Sequence, residues 1–177
     1  FDRRRREERR LVMLLCVATI PIVITGLSLK DPLEQVRENP VTVSLLLCIT
    51  GLILFLPGLV KANPTRTPDV RSSILMGLAQ ALALLPGISR SGSTIAAGLA
   101  LGIRPALAAE FSFLLAIPAI IGATLLKIDE MTTIHKDQAA IYFTGIAVAF
   151  VTGLLAIYAV ISSIRHGKFA YFGVYCI

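Results

Sequence analysis

The chain has 177 residues, of which 55% are hydrophobic, and its mean hydropathy is +0.79. This composition excludes an ordinary soluble domain and is typical of a membrane protein. The formal net charge is +6, from 17 basic and 11 acidic residues. Because the basic residues lie mostly between apolar stretches, the positive-inside rule explains them, and we predict no nucleic-acid partner.

Four apolar segments are each long enough to cross a bilayer, which takes about 20 residues of helix. The predicted spans are 11–29, 41–60, 106–126 and 139–164. Residues 1–10 carry six arginines and precede the first span. We interpret them as a topological anchor on the cytoplasmic side, with contact to anionic lipid headgroups as the alternative. The whole chain, 1–177, is predicted to be one integral, multi-pass, all-α membrane domain.

A further apolar segment, 72–103, is too long for one crossing. It has 32 residues, and its only charge is Arg90. A straight helix of that length measures about 48 Å, against a hydrocarbon core of roughly 30 Å. Pro86 and Gly87 at its centre are residues that break helices. The sequence therefore predicts two half-helices, 72–85 and 91–103, that form a re-entrant pair inside the membrane.

The second half-helix contains a Gly-x-x-x-Gly spacing at Gly98 and Gly102. Small residues at this spacing let two membrane helices approach closely. The pattern is common in membrane sequences, so it predicts helix packing and nothing more specific.

The segment between the half-helices has the chemistry of an anion site. The Arg90 guanidinium presents a planar fork that suits phosphate oxygens. An uncompensated arginine at this depth costs about 2.5–3.5 kcal/mol. Gly87 and Gly92 are predicted to let the backbone approach a ligand, and the half-helix that begins near Ser91 points its positive dipole end at the loop. Hydroxyl donors would come from Ser89, Ser91, Ser93 and Thr94.

Other interpretations of these residues remain open at this stage. The loop could be a tight Ser/Gly turn whose arginine pairs with Glu110 or with backbone carbonyl groups. Gln80 on the first half-helix could bind a ligand or join two helices. A loop serine could be a nucleophile toward phosphorus, but no base lies near it in the sequence.

Residues 77–94 include Pro-Gly-Ile-Ser-Arg-Ser-Gly-Ser-Thr. This run resembles the Pro-Gly-x-Ser-Arg-Ser-x-x-Thr signature of the bacterial undecaprenyl-diphosphate phosphatases, also called bacitracin-resistance proteins. The run Ala-Ala-Glu-Phe-Ser-Phe-Leu-Leu-Ala-Ile-Pro at 108–118 is similar to that family as well. The resemblance extends from about residue 11 to the end of the chain.

The resemblance implies a fold and an activity. The family hydrolyses undecaprenyl diphosphate to the monophosphate carrier lipid of cell-wall assembly and releases phosphate. Its members are enzymes of the bacterial inner membrane, built from two inverted repeats that each contain a re-entrant pair. By position, Arg90 would bind the diphosphate of the polyprenyl lipid. The residues expected to line the phosphate pocket are Ser89, Ser91 and Thr94.

The resemblance also implies that part of the machinery lies outside this stretch. The family's Glu-x-x-x-Glu motif, with a downstream Ser and His, belongs to the first repeat and is thought to hold a divalent metal, Mg²⁺ or Ca²⁺. At the corresponding positions of the second repeat the chain has Gln80 and Leu84. We therefore expect a fragment cut at both ends that is inactive by itself, with its last crossing cut near Phe169.

Two other functions compete with a phosphatase. A transporter or flippase for an anionic lipid or solute would use the same broken helices and charged cradle. A non-catalytic helical scaffold is the third hypothesis. A homodimer is one possible assembly, and the sequence alone does not decide among oligomeric states.

Overall fold

The computed structural model describes residues 2–29, 33, 36–60, 64–126 and 139–177, with only the backbone described for 2–4 and 139. Seven helices account for most of these residues: α1 (Asp2–Ser28), α2 (Pro40–Leu59), α3 (Val70–Leu82), α4 (Arg90–Ala100), α5 (Pro105–Leu126), α6 (Ala139–Arg165) and α7 (Tyr171–Cys176). The described ranges contain no β-strand, only an isolated bridge between Arg66 and Ile103.

Four of the helices are long and apolar enough to cross a membrane. They are α1 from Arg5 onward, α2, α5, and α6 from Ala140 onward. Each predicted span falls on one of them, and this confirms the predicted class, an all-α membrane protein. The outward surface agrees, because large apolar side chains such as Ile20, Leu45, Ile121 and Phe143 are exposed on these helices. Such a surface fits hydrocarbon and not water.

The segment 72–103 is broken into two short helices, as predicted, but their limits differ. α3 begins at Val70 and not at residue 72, because Asp69 caps it. The Ser72 N–H donates to Asp69 Oδ1 at 2.8 Å, and the Asp69 N–H donates to Ser72 Oγ at 2.8 Å. This reciprocal pair satisfies two N–H groups at the helix start.

The end of α4 also differs from the prediction. The helix stops at Ala100, and Gly102 follows it with φ of +78°. The Ile103 N–H donates to the Gly98 carbonyl at 3.0 Å, and the Gly102 N–H donates to that of Leu99 at 2.9 Å. This is the Schellman arrangement, which a left-handed glycine makes possible. Gly102 therefore ends the helix, a role that the spacing had not predicted.

The two short helices form a hairpin whose ends lie together. The Arg66 N–H donates to the Gly102 carbonyl at 3.0 Å, and the Arg104 N–H donates to the Arg66 carbonyl at 3.1 Å. The chain therefore returns after α4 to the level at which it entered α3. We call this level, residues 64–69 and 101–104, the base of the hairpin, and the connection 83–89 its tip.

Long helices surround the hairpin on both sides. α3 packs against α1, so closely that a Cβ atom added to Gly77 would overlap the Ala18 carbonyl. α4 packs against α2 and α5, and Gly98 faces Ala108 of α5 as the spacing had indicated. One apolar cluster joins α1, α3 and α5 around Met76 and Phe111. A second joins α2, α4, α5 and α6 around Leu54 and Ile95. Both helices of the hairpin are therefore packed against long helices, which fix the position of the tip between them.

Candidate anion-binding site

The tip of the hairpin lies against the first half of α2. Gly87 has φ of +101°, a conformation that L side chains rarely adopt. A Cβ atom added there would overlap the Val43 carbonyl oxygen and lie 2.9 Å from Leu46 Cβ. A Cβ atom added to Gly92 would lie 2.9 Å from Ser89 Oγ and 3.1 Å from the Leu54 side chain of α2. Both glycines thus permit close packing against neighbouring residues, and their predicted approach to a ligand stays a prediction.

Thr50 of α2 fixes the tip by two hydrogen bonds. Its hydroxyl donates to the Gly87 carbonyl at 2.9 Å and accepts from the Ser89 N–H at 3.0 Å. The side chain is fully buried. Thr50 was not among the predicted site residues, because a threonine inside an apolar span shows no pattern that separates it from a lipid-facing position. A polar residue midway along such a span is the only signal that was available.

Ser89 is the last residue of the tip, and α4 begins directly after it. It is the N-cap of α4, and its Oγ accepts from the Gly92 N–H at 3.1 Å. The next backbone bond of the turn runs from the Ser93 N–H to the Ser89 carbonyl at 2.9 Å. The N–H groups of Arg90 and Ser91 have no acceptor among the described residues. They are therefore open donors at the positive end of the helix dipole.

Arg90, the first residue of α4, adds a full positive charge to this end of the helix. Arg90 is half-buried, and its guanidinium has no hydrogen-bond or ion-pair partner in the part of the chain that the structure describes. Glu110 is exposed on α5 and does not pair with it. Among the described residues, the alternative that Arg90 forms an ion pair with Glu110 is therefore wrong. The guanidinium, the open N–H groups and the half-buried Ser91 together form a set of donors suited to an oxyanion.

Two other predicted residues, Ser93 and Thr94, are buried in the first turns of α4. Thr94 is fully buried, and its hydroxyl bonds the Arg90 carbonyl at 2.9 Å and the hydroxyl of Ser112 on α5. Ser93 is buried, and its Oγ has no described partner. In this structure Thr94 links the first turn of α4 to α5. Direct contact of either residue with a phosphate stays a prediction.

Gln80 is also placed away from the surface. Its side chain is 0% exposed, and neither amide atom has a hydrogen-bond partner among the described residues. The structure thus shows neither of the two roles that the sequence had left open. Because the side chain is fully buried, a substrate contact of Gln80 stays a prediction.

The described residues do not provide a metal site. No three His, Cys, Asp or Glu side chains converge within ranges 2–29, 36–60, 64–126 and 139–177. The donor set at the tip consists of cations, N–H groups and hydroxyls, which suit an anion and not a divalent cation. The side chains of the described ranges therefore do not fit the implied metal.

The two hydrogen bonds of Thr50 to the tip lead to a testable prediction. Replacing Thr50 with valine leaves the Gly87 carbonyl and the Ser89 N–H without their partner, at a cost of about 1–3 kcal/mol. We expect a lower unfolding temperature for Thr50→Val in detergent, measured by intrinsic fluorescence or scanning calorimetry. Thr50→Ser keeps the hydroxyl and should retain most of the stability. If the valine variant were as stable as the wild type, these two hydrogen bonds would not contribute to the stability of the protein.

Together, the described helices and the donors at the start of α4 define an α-helical membrane protein with a candidate anion site beside the hairpin tip. The family model for bacitracin resistance protein BacA matches residues 1–177, and the chain belongs to this family. Curated relatives named undecaprenyl-diphosphatase are similar to it. The one from Syntrophotalea carbinolica is 39% identical over 170 residues, covering 95% of this chain and 65% of the relative. Those from Methanosphaera stadtmanae and Corynebacterium glutamicum are 36% and 38% identical and cover 96% and 99% of this chain.

The chain spans less than two thirds of several of these relatives. The share of the relative that is covered is 65% for Syntrophotalea carbinolica, and 62% for both Methanosphaera stadtmanae and Corynebacterium glutamicum. The similarity therefore concerns a large part of each relative and not its whole length.

Proposed function

We propose that the protein containing this chain hydrolyses undecaprenyl diphosphate to undecaprenyl phosphate and phosphate, as a phosphoric anhydride hydrolase that recycles the lipid carrier of cell-wall synthesis. The observation that carries the proposal is the Arg90 guanidinium at the capped start of α4, which has no partner among the described residues. Family membership and the name shared by the relatives support the choice of substrate.

In the proposed reaction, water supplies an oxygen to the terminal phosphorus, and the bond from that phosphorus to the bridging oxygen breaks. Negative charge moves onto the bridging oxygen, which leaves as part of undecaprenyl phosphate, and the attacking water becomes part of the released inorganic phosphate and gives its proton to solvent. Arg90 would bind two phosphoryl oxygens with its fork, and the N–H groups of Arg90 and Ser91 would donate to another. Because these donors are held in place before the substrate arrives, they stabilise the transferring group without reorganising.

Thr50, Ser89 and Thr94 would act by positioning. The Thr50 and Ser89 hydrogen bonds fix the end of the tip, and the Thr94–Ser112 bond fixes the first turn of α4 against α5. A guanidinium on a loose loop would lose part of its binding energy to ordering. Neither His nor a carboxylate hydrogen-bonds Ser89 or Ser91 among the described residues, so we assign no nucleophilic role to these serines.

The hairpin is proposed to enter the membrane and return on the same side. Support comes from the joined ends at Arg66 and Gly102 and from the position of the tip, which lies beside residues 43–50 of a 20-residue span. Half-helices of 13 and 11 residues measure about 20 and 16 Å, too short to cross a core of roughly 30 Å. We further propose an inner-membrane location, an architecture of two inverted repeats of which this chain holds most of the second, and a metal held by residues of the first repeat. A homodimer stays a possible assembly.

The test is phosphate release by purified full-length protein in detergent with undecaprenyl diphosphate and Mg²⁺ or Ca²⁺. Detergent leaves no second compartment, so a transporter or flippase would give no product. Release of phosphate that requires Arg90 supports the proposal. Absence of release, together with movement of the lipid between leaflets of reconstituted vesicles, would favour the transport hypothesis. Absence of both would leave the scaffold hypothesis.

A further inference from the structure

A second cationic region lies at the base of the hairpin, at the opposite end from Arg90. A cavity of about 570 Å³ opens there between the segment before α3 and the end of α4. Its polar lining includes Thr65, Arg66, Thr67, Asp69 and Arg71. This cavity shares no residue with the tip.

The charge of this region is strongly positive. Arg66 and Arg71 line the cavity, and Arg104 follows directly after Ile103 in its wall. Arg10 of α1 is joined to the same segment, since its Nη2 donates to the Pro68 carbonyl at 3.3 Å. Of these arginines, Arg66 and Arg71 line the cavity itself together with the carboxylate of Asp69, and Arg10 and Arg104 lie beside it.

The one acidic group in the cavity is already engaged. Asp69 caps α3, and the hydrogen bonds from the Ser72 side chain and backbone, together with the nearby Arg66, hold the pKa of its carboxyl below the ordinary value. Arg66 makes only a long contact, 3.5 Å, to the Leu101 carbonyl. Arg71 has no partner in the described part of the chain. The cavity therefore offers cationic and hydroxyl donors that are free to bind an anion.

The position of the cavity indicates what kind of anion it takes. The candidate span α2 ends at Leu59, and the candidate span α5 begins at Pro105. The cavity, which is lined by residues between these two positions, therefore lies at the edge of the apolar region. Beside it begins a row of apolar side chains along α3, each 40–63% exposed: Val70, Ile74, Leu78 and Leu82. The row extends about 18 Å from the base toward the tip. That is a little more than half of a hydrocarbon core of roughly 30 Å.

We propose that this cavity binds the phosphate of an anionic membrane phospholipid, with one acyl chain lying along the apolar row of α3. Arginines at the headgroup level attract anionic lipids, and a guanidinium pairs well with a phosphodiester. Free phosphate would use the same donors but not the row of apolar side chains. The proposal is independent of the proposed phosphatase activity, because it uses neither Arg90 nor the tip.

The test is native mass spectrometry of the full-length protein released from nanodiscs of equal parts phosphatidylglycerol and phosphatidylcholine. We expect the wild type to retain phosphatidylglycerol preferentially, and Arg66→Gln/Arg71→Gln to lower that preference roughly tenfold or more. Arg165→Gln is the matched control, because Arg165 is an exposed arginine at the end of α6 and does not line the cavity. It should behave as the wild type.

Two results would overturn the proposal. One is an equal lipid preference in the wild type, the double variant and the control. The other is stabilisation of the detergent-purified protein by inorganic phosphate as large as that by phosphatidylglycerol, which would indicate a site for a small anion. If the double variant fails to fold, Arg71→Gln alone gives the answer, since its side chain has no described contact to lose.

Discussion

Replacing Arg90 with lysine in the full-length protein should lower the rate of phosphate release from undecaprenyl diphosphate by about a hundredfold or more. Loss of one preorganised donor to a transition-state oxyanion commonly costs a factor of this size. Lysine keeps the charge but replaces a planar fork with a single ammonium group, so two parallel hydrogen bonds to phosphate cannot form. The measurement is the initial rate of phosphate release in detergent at saturating substrate.

The matched control for this variant is Arg165→Lys. Arg165 is exposed at the end of α6, and the same substitution there should leave the rate unchanged. A lysine at position 90 that supports wild-type turnover would remove Arg90 from the proposed mechanism. Loss of activity in both variants would point to a general effect of arginine replacement on the protein.

Replacing Gly87 with alanine should destabilise the protein by about 2 kcal/mol or more and remove most of the activity. The positive φ alone costs roughly 1–2 kcal/mol for an L residue. The added Cβ would also overlap the Val43 carbonyl, which is backbone and cannot rotate away. The tip must then move off α2, and the Thr50 bonds to Gly87 and Ser89 would be strained or lost. Thermal unfolding and phosphate release measure the two effects.

A glycine in α2 provides the control for this substitution. Gly58 lies in the last turn of α2, and a Cβ added there meets nothing within 4 Å. Gly58→Ala should therefore be neutral, or stabilising by up to about 1 kcal/mol, because alanine favours helix. If Gly87→Ala behaved like Gly58→Ala, the tip would not depend on its packing against α2.

The sequence was sufficient to predict the helices and the break between α3 and α4. Apolar length identifies a span, and Pro86-Gly87 in a segment of 32 residues identifies the break, since both signals are local. The predicted ends of the two short helices were less accurate, because capping residues decide where these helices begin and end. The Asp69–Ser72 pair and the left-handed Gly102 act over three or four residues, and hydropathy does not detect them.

The candidate site was predictable only in part, for a physical reason. Arg90 stands out because a charge in an apolar segment is costly, and Ser89 and Ser91 are its neighbours in the chain. Contacts between helices cannot be obtained from one sequence in this way. Thr50 is 39 residues from Ser89, and Ser112 is 18 residues from Thr94. The burial of Gln80 was not predictable either, since it depends on how α3 sits among its neighbours.

Binding of the diphosphate lipid is the most direct test of the central claim, that Arg90 at the hairpin tip holds phosphate oxygens. The measurement is the shift in unfolding free energy of the full-length protein on addition of undecaprenyl diphosphate, without Mg²⁺ or Ca²⁺. At a lipid concentration of 100 times the dissociation constant, the wild type and Arg165→Gln should gain about 2.7 kcal/mol. Arg90→Gln should gain little or nothing at the same concentration, and an equal gain in all three proteins would contradict the account.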